Sequence, residues 1–379
     1  MNIQMVDLKG QYHAIKSEID TAINDVIESS AFINGPAVSQ FAKELAAYNK
    51  VAYVVPCANG TDALQLAMMA LDLVPGDEVI VPSFTYVATA EVIALLGLTP
   101  VFVDVNPSDF LVSPTKIKES ITPKTKAIVP VHLFGQCADM ESIMAIAREH
   151  GLYVIEDTAQ AIGAVYTFKD GTTKKAGTMG DIGTTSFFPS KNLGCYGDGG
   201  AMFTNDEQLA TRLKMIANHG QRVKYYHDII GVNSRLDTVQ AAILRVKLPH
   251  LDQYSANRNR SAEYYDKALG HYKSIVTPVR VESSTHVFHQ YTLKCIGFDR
   301  EELKAFLQQK SIPSMVYYPV PLHLQKGYAQ YGFATGSFPV SEQLADQVLS
   351  LPIHTEQTEE ELSYIVENVK DFLHTKGLN

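Results

Sequence analysis

Short apolar runs alternate with amphipathic segments between about residues 50 and 205. The runs predict strands, because near-continuous apolar strands are typical of a parallel sheet covered by helices on both faces. They are VAYVV (51–55), EVIVP (78–82), PVFVDV (100–105), KAIVPVHLF (126–134), LYVIED (152–157) and GAMFTN (200–205). Between them, TDALQLAMMAL, ATAEVIALLG and DMESIMAIAREHG have helical spacing, with Gly97 and Gly151 where C-terminal caps belong. The alternation predicts an α/β domain whose ligand site lies at the carboxyl ends of the strands.

The two ends of the chain have other patterns. Residues 12–28 predict an amphipathic helix, and a second helix follows NGP, with Asn34 as its cap and Pro36 in its first turn. After about residue 250 the pattern predicts a helix near 255–269, a strand in FHQYTLKCI, and helices in EELKAFLQQ and TEEELSYIVENVKDFL. We therefore expect a large α/β domain over residues 1–250, with the N-terminal helices, and a smaller α+β domain over residues 251–379.

Composition and charge exclude several classes of protein. Hydrophobic residues make up 46% of the 379 residues and charged residues 19%, as in a compact globule. The net charge of −9, with no basic arm, disfavours nucleic-acid binding. The longest apolar segment, residues 87–98, is interrupted by Glu91 and Gly97 and is too short to span a bilayer.

Cysteine spacing bears on metal binding and on location. The four cysteines lie far apart, and no CxxC pair occurs: Cys57, Cys137, Cys195 and Cys295. This spacing fits neither a zinc cluster nor a disulfide framework, and the N-terminus does not resemble a signal peptide. We expect no metal site and a location in the reducing cytoplasm.

The first candidate site is Asn59-Gly60-Thr61-Asp62, between a strand and a helix. Gly60 lets the backbone approach an anion, Thr61 offers a hydroxyl, and the helix start directs unpaired N–H groups outward. Taken alone, these four residues are better explained by an ordinary capped helix start.

The second candidate is Asp157, at the end of the strand LYVIED. A carboxylate at this point faces the ligand crevice, where it could keep a pyridine nitrogen protonated. A loop-capping aspartate explains the position equally well. Gln160 would present its amide on the same side if a helical turn begins here.

The third candidate is Lys191, which follows Phe188 and Pro189 and precedes Gly194. A partly desolvated lysine has a lowered pKa and supplies the neutral amine that Schiff-base chemistry requires. Taken alone, it is better explained as a surface lysine in a loop. The glycines of residues 197–200 lack the GK[ST] signature, so we expect a turn there and no phosphate loop.

Together the three candidates supply most of what pyridoxal phosphate (PLP) requires. That cofactor needs an amine for its aldehyde, a carboxylate for its ring nitrogen, an anion site for its phosphate, and an aromatic ring beside its own. Phe84 and Tyr86, after the strand EVIVP, are candidates for the aromatic ring. The combination predicts a PLP enzyme.

The order of these motifs resembles the DegT/DnrJ/EryC1/StrS family, fold-type-I PLP enzymes that aminate nucleotide-linked ketosugars. The matching runs include CANGTDALQ, PSFTYVATAE, IEDTAQAIGA, TTSFFPSKNLGCYGDGGAMFTND, GVNSRLDTVQAAIL and YYPVPLHLQ. The resemblance implies a large, mostly parallel, seven-stranded sheet between helices, followed by a smaller C-terminal domain. It also implies a homodimer with shared active sites, an amino acid donor such as L-glutamate, and a product used in cell-surface polysaccharides such as O-antigen.

The resemblance also implies a role for each matching residue. Lys191 would carry PLP as a Schiff base and act as the acid and base of the proton shift, while Asp157 would pair with the ring nitrogen. The other cofactor contacts would be Gln160 beside the ring hydroxyl, Tyr86 stacked on the ring, Gly60, Thr61 and Ser186 around the phosphate, and Asn233 at the phosphate of the neighbouring subunit. Arg235, Tyr317 and Tyr318 would face the substrate, although an ion pair at the dimer contact explains Arg235 equally well.

Within the family, FGQCADM, SFFPSKNLGCYGDGG and GVNSRLDT most resemble enzymes that install a 3-amino group on UDP-2-acetamido-3-oxo-hexuronic acid. One departure leaves the sugar contacts open: some relatives have His-Tyr-Pro where this chain has Tyr317-Tyr318-Pro319. Amination at C4 and a dTDP-3-ketosugar substrate stay open as alternatives.

Three rival functions can be compared with the sequence. The dehydratase branch of the family has histidine in place of the lysine, whereas this chain has Lys191. A regulator that binds without turnover would be expected to have lost Lys191 or Asp157. A Rossmann dehydrogenase would need GxGxxG after its first strand, and that signature is absent. The sequence therefore favours an aminotransferase.

Overall fold

The computed structural model describes residues 3–378 and begins with helices α1 (Leu8–Ala14), α2 (Lys16–Ser29) and α3 (Pro36–Asn49). The single helix predicted over residues 12–28 is wrong, because Ile15 leaves the helical conformation (φ −124°, ψ 22°) between α1 and α2. The cap predicted at Asn34 is also wrong. Gly35 is the N-cap of α3, and Asn34 has a left-handed backbone (φ 52°).

The predicted alternation of strands and helices is confirmed in the first half of the large sheet. Gly151 (φ 65°) caps its helix in the left-handed conformation, as predicted. The elements are β1 (Tyr53–Cys57), α4 (Gly60–Ala70), β2 (Glu78–Pro82), α5 (Ala88–Leu95), β3 (Thr99–Val103), α6 (Pro114–Glu119), β4 (Thr125–Ile128), α7 (Met140–His150) and β5 (Tyr153–Asp157).

The next stretch completes a sheet with the strand order β1-β9-β8-β5-β4-β2-β3. Its elements are β6 (Val165–Thr167), β7 (Thr173–Lys175), β8 (Ile182–Ser186), β9 (Gly200–Thr204), α8 (Glu207–Ala217), β10 (Gln221–Val223), β11 (Tyr226–His227) and α9 (Thr238–Lys247). Strand β9 is antiparallel to both of its neighbours, and the other pairs of adjacent strands are parallel. The predicted seven-stranded, mostly parallel sheet is therefore confirmed.

The strand directions bring the candidate residues to one edge of the sheet. Strands β5 and β8 are parallel neighbours, so Asp157 and Ser186 end at the same edge. Lys191 lies in the connection from β8 to β9, and α4 begins where β1 reaches this edge. We call it the carboxyl edge.

The C-terminal part contains a second, antiparallel sheet with the order β12-β13-β14. Its elements are α10 (Leu251–Leu269), β12 (Ile275–Val276), β13 (Tyr291–Cys295), α11 (Arg300–Gln309), α12 (Pro339–Gln347), β14 (Val348–Leu351) and α13 (Glu359–Thr375). The predicted helices and strand of this part are present. The domain boundary at residue 250 stays a prediction.

Two buried side chains fix the segment before β14 to the carboxyl edge. The Asp104 carboxylate accepts hydrogen bonds from the backbone of Val340 and Ser341 and from the Ser341 hydroxyl (2.7–3.0 Å). The Ser83 hydroxyl, directly after β2, contacts His323 Nδ1 at 2.6 Å. The C-terminal part therefore reaches the ends of the strands that carry the candidate site.

No helix within residues 3–378 is both long enough and apolar enough to cross a bilayer. All four cysteines are buried and unpaired: Cys57, Cys137, Cys195 and Cys295.

Candidate active site

Asp157 is buried at the carboxyl edge, and each of its oxygens accepts one hydrogen bond. The Thr89 hydroxyl, from the first turn of α5, donates to Oδ2 at 2.9 Å. The Ala159 backbone donates to Oδ1 at 3.1 Å. Asp157 therefore does cap its loop, and the spare lone pairs of its carboxylate still leave it able to accept from a ligand.

The neighbouring carboxylate, Glu156, faces the other side of the sheet. It accepts hydrogen bonds from the backbone N–H groups of Gly177, Met179 and Gly180 and from Nε2 of His132 (2.6–2.9 Å). His132 Nδ1 accepts from a backbone amide, so its proton lies on Nε2. Glu156 holds a loop, and its hydrogen bonds involve no residue that the sequence predicted for the site.

Lys191 is half-buried in a turn whose backbone closes onto Phe188 (2.8 Å). Its amine makes no hydrogen bond with any group in residues 3–378. Loss of solvation lowers the pKa of Lys191 to about 8, and the negative charge of Asp157 partly opposes this shift. Near pH 8 much of this amine is therefore neutral, the form that attacks a carbonyl.

The residue after Lys191 is fixed by a buried network that the sequence did not predict. Asn192 donates its amide to Val287 O (2.9 Å), and its Oδ1 lies 3.3 Å from Nδ1 of His289. Burial, together with the positive charges of Lys191 and Arg258, holds the pKa of His289 well below its usual range. A neutral histidine that donates from Nδ1 thus positions the turn that holds Lys191. In the sequence, only the dipeptide Lys191-Asn192 indicates such a network.

An anion cradle lies where α4 begins. A Cβ atom on Gly60 would stand 2.6 Å from Cβ of Ser186, so only glycine allows this approach. Asn59 caps the Asp62 amide at 2.8 Å. The N–H groups of Gly60 and Thr61 have no hydrogen-bond acceptor in the described part of the chain. Free donors at the positive end of an eleven-residue helix suit a phosphate.

The aromatic candidates differ in access. Phe84 is buried and packs edge-on against Tyr318 (ring centroids 6.2 Å apart), whereas Tyr86 is 56% exposed at the same distance from Tyr318. Between them in sequence, the buried hydroxyl of Thr85 has no hydrogen-bond partner in the part of the chain that the structure describes. Tyr86 is therefore the ring that a ligand can reach.

Gln160 connects this region to the C-terminal part. Its Oε1 accepts from the Phe134 backbone (2.7 Å), and its Nε2 donates to the Tyr318 hydroxyl (3.0 Å). Burial raises the pKa of Tyr318 above its usual value, so the hydroxyl keeps its proton. Tyr317 is half-buried beside it, and burial raises the pKa of its hydroxyl. The structure therefore brings Gln160 and Tyr318 together.

Two predicted site residues, Asn233 and Arg235, are not in contact with the other predicted site residues in the described part of the chain. The Ser234 hydroxyl between them accepts from the Ala58 backbone (3.1 Å), which places their segment beside the start of α4. Asn233 is exposed, and Arg235 is half-buried. The Arg235 guanidinium forms no hydrogen bond or ion pair with residues 3–378. The ion pair considered for Arg235 therefore has no partner within the described part of its own chain.

These features fit PLP. The structure offers an unpaired amine with a lowered pKa, a buried carboxylate close enough to affect it, and a glycine approach with free N–H donors. It also offers an accessible tyrosine ring and a buried hydroxyl with unused hydrogen-bonding capacity.

Comparison with known proteins gives consistent results. The model of the DegT/DnrJ/EryC1/StrS aminotransferase family matches residues 13–370. The chain is 48% identical to the pleiotropic regulatory protein of Geobacillus stearothermophilus, covering 98% of this chain and 99% of that protein. It is 47% identical to UDP-2-acetamido-2-deoxy-3-oxo-D-glucuronate aminotransferase of Pseudomonas aeruginosa, covering 93% and 95%. The crystal structure of S. venezuelae DesV with a ketimine intermediate superposes with a TM-score of 0.94 at 40% identity, covering 98% of each chain.

Proposed function

Because the chain belongs to the DegT/DnrJ/EryC1/StrS aminotransferase family, which depends on PLP, we propose that it aminates a nucleotide-linked ketosugar with an amino acid as the donor. The observation that carries this proposal is the amine of Lys191, which has a lowered pKa, lacks a hydrogen bond to the described residues, and lies within the electrostatic influence of Asp157. Two results would support the proposal. The purified protein should show a visible absorbance band that borohydride abolishes, and it should transaminate a nucleotide amino sugar in the reverse direction. Absence of both signals would contradict it.

When bound, PLP supplies an electron sink for the carbon that loses a proton. Asp157 is suited to keep the ring nitrogen protonated, because it is buried and its position is fixed by Thr89 and Ala159. Lys191 is suited to carry the proton between carbon positions, because its pKa of about 8 lies near the working pH. The two residues thus divide the work into charge stabilisation and proton movement.

The remaining predicted residues hold the cofactor in this proposal. The helix start at Gly60 and Thr61, with Ser186 beside it, receives the phosphate. Tyr86 covers one ring face, and Gln160, whose amide is fixed by Phe134 and Tyr318, lies beside the ring hydroxyl. Fixed donors need little reorganisation during the reaction.

A regulator that binds without turnover is the alternative suggested by the name of the Geobacillus relative. Lys191 and Asp157 are both present and buried or half-buried as catalysis requires. The lowered pKa of Lys191 favours a role in covalent chemistry over passive binding. Measured turnover separates the two functions directly.

For the substrate, we propose UDP-2-acetamido-3-oxo-hexuronic acid, with the amino sugar passing to cell-surface polysaccharide synthesis in the cytoplasm. The similarity to the Pseudomonas enzyme supports this choice. So does Arg235, a half-buried cation that lacks an ion pair within residues 3–378 and is therefore free to bind a carboxylate. Amination at C4 and dTDP-3-ketosugars are the alternatives that a substrate panel would test.

Replacing Arg235 by lysine is expected to reduce kcat/KM for the uronic acid much more than for its neutral hexose counterpart. A guanidinium binds a carboxylate through two parallel hydrogen bonds, which a lysine cannot reproduce. Lysine keeps the charge but loses one of the two hydrogen bonds to the carboxylate, which costs roughly 1.5–3 kcal/mol, so a tenfold or larger loss is expected for the uronic acid. Equal losses for both sugars would mean that Arg235 serves the nucleotide or the subunit contact. A wild-type preference for the neutral sugar would remove the uronate assignment.

We further propose a homodimer in which Asn233 completes the partner's site. Large apolar side chains are exposed close to Asn233 in the chain, among them Tyr225 (78%), Tyr226 (70%) and Ile230 (86%), as at a surface that associates. Asn233 itself is exposed and makes no side-chain contact with the predicted site of its own chain. A second subunit would bury these groups.

Co-expression of Lys191→Ala with Asn233→Ala is expected to restore activity above that of either variant alone. If the two residues come from different subunits, one site of each mixed dimer contains both of them intact. The mixed dimer, isolated by two affinity tags, is compared with each parent at equal concentration. Verified mixed dimers without activity would place Asn233 in its own subunit's site.

A further inference from the structure

A polar cavity of about 150 Å³ lies away from the carboxyl edge. Lys50 precedes β1 and Asn205 follows β9, which runs antiparallel to β1. Both residues therefore lie at the amino edge of the sheet, opposite Asp157. Lys174 and Lys175, from β7, complete the basic part of the cavity wall.

The cavity has a positive charge that nothing in its lining balances. Its lining includes three lysines and no carboxylate. Within residues 3–378, none of the three ammonium groups forms an ion pair. Lys175 lies over the ring of Tyr48, 3.2 Å from its centroid. Burial lowers the pKa of Lys175, Asp252 outside the lining raises it, and Lys50 lowers it further. A bound anion would relieve this repulsion.

A second and independent observation is the side chain of Asn49, which lines the same cavity. Asn49 is 1% exposed, and neither its amide nitrogen nor its amide oxygen has a hydrogen-bond partner among residues 3–378. Buried polar groups are normally paired, and each unpaired one requires an explanation. Asn205, another residue of the lining, accepts from the Ala52 backbone through Oδ1 (2.9 Å), which leaves its NH₂ group free to donate.

The end of helix α3 explains only part of this arrangement. A lysine at a helix C-terminus complements the negative end of the helix dipole, which accounts for Lys50. It does not account for Lys174 and Lys175, which come from a different element, or for the unpaired amide of Asn49.

We propose that this cavity binds a small tetrahedral oxyanion with the chemistry of a phosphate group. At about 150 Å³, the cavity is large enough to admit a phosphate group. Lysine binds phosphate as a point charge, and amide NH₂ groups donate to its oxygens. The site is separate from the cofactor cradle at Gly60, because it lies at the other edge of the sheet.

The test is calorimetric titration of the PLP-loaded enzyme with inorganic phosphate at constant ionic strength. PLP occupies the cradle at Gly60, so that phosphate cannot bind there. The variant Lys50→Gln/Lys174→Gln removes two exposed charges from the cavity, so it is expected to fold and to bind phosphate at least tenfold more weakly. The matched control, Lys124→Gln/Lys267→Gln, removes two exposed charges elsewhere and is expected to stay within about twofold of wild type. Equal affinity in the two double variants, or no binding to wild type at millimolar phosphate, would overturn the proposal.

Asn49→Leu separates a ligand role from a packing role. Replacing an unpaired buried amide by an apolar group of similar size is expected to leave thermal stability equal or higher without phosphate. The same substitution is expected to weaken phosphate binding at least fivefold. Unchanged phosphate affinity would overturn the role of Asn49.

Acetate is expected to bind at least tenfold more weakly than phosphate, and equal binding of acetate would contradict a tetrahedral oxyanion site. Methyl phosphate tests whether a phosphate ester is accepted.

Discussion

Lys191→Ala is expected to bind PLP without a covalent link and to lose at least roughly a thousandfold in turnover, since acid–base catalysis alone contributes about 10²–10⁴-fold. The cradle at Gly60 and the carboxylate of Asp157 are unchanged in this variant, so the cofactor should still bind. Its absorbance should match free PLP and should not be fixed to the protein by borohydride. Activity within a few-fold of wild type would refute the assignment.

The chain offers a matched control in Lys247. Burial lowers the pKa of Lys247 to about 8, as for Lys191, but its amine donates to Gly194 O at 2.7 Å. Lys247→Met is therefore expected to keep the covalent link to PLP, whatever its effect on stability. If Lys247→Met also loses the link, the loss in Lys191→Ala would no longer identify Lys191 as the linked residue.

Asp157→Asn is expected to leave the fold intact and to lower the rate of transamination by up to about a thousandfold. A nearby opposite charge shifts a pKa by about 1–3 units, so an amide in its place leaves the ring nitrogen largely unprotonated. Asp157 also raises the pKa of Lys191. The pH midpoint for reloading the apoenzyme with PLP should therefore move to lower pH than in wild type, because the neutral amine forms at lower pH.

Glu156→Gln is the control for that experiment. Glu156 is the adjacent carboxylate, but its four hydrogen bonds hold a loop on the other side of the sheet. Its substitution should lower the thermal midpoint and leave the pH midpoint of PLP reloading unchanged. A normal rate and an unchanged pH midpoint in Asp157→Asn would reduce Asp157 to a loop cap.

The apolar strands of the large sheet were predictable from the sequence. A strand that lacks an apolar run was not predicted. Strand β8 has the sequence IGTTS, which lacks both an apolar run and an alternating pattern, yet it lies between β5 and β9 at the centre of the sheet. Its threonine hydroxyls donate to backbone carbonyls at and beyond the end of the neighbouring strand β5, as when Thr184 donates to Glu156 O (3.1 Å). Burial of such residues depends on partners distant in sequence, which periodicity cannot reveal.

The candidate site was also predictable only in part. Asp157 and Ser186 end two parallel strands, and strand order brings such ends together. The supports of these residues were not predicted: Thr89 lies within the matching run PSFTYVATAE but carried no predicted role, and His289 lies outside the matching runs. Asn233 and Arg235 lack contacts that would assign them to the site, so their proposed roles depend on a second subunit.

The alternation of side chains along β5 also bears on how reliably the site is assembled. In the native register Glu156 lies opposite Gly183 and Asp157 opposite Thr184. A slip of one residue would exchange the two carboxylates between the faces of the sheet. Aspartate is one methylene shorter than glutamate, so from the slipped position it could not reach all four donors that Glu156 satisfies. The loop at residues 177–180 therefore makes all of its hydrogen bonds to Glu156 only in the register that also directs Asp157 to the opposite face of the sheet.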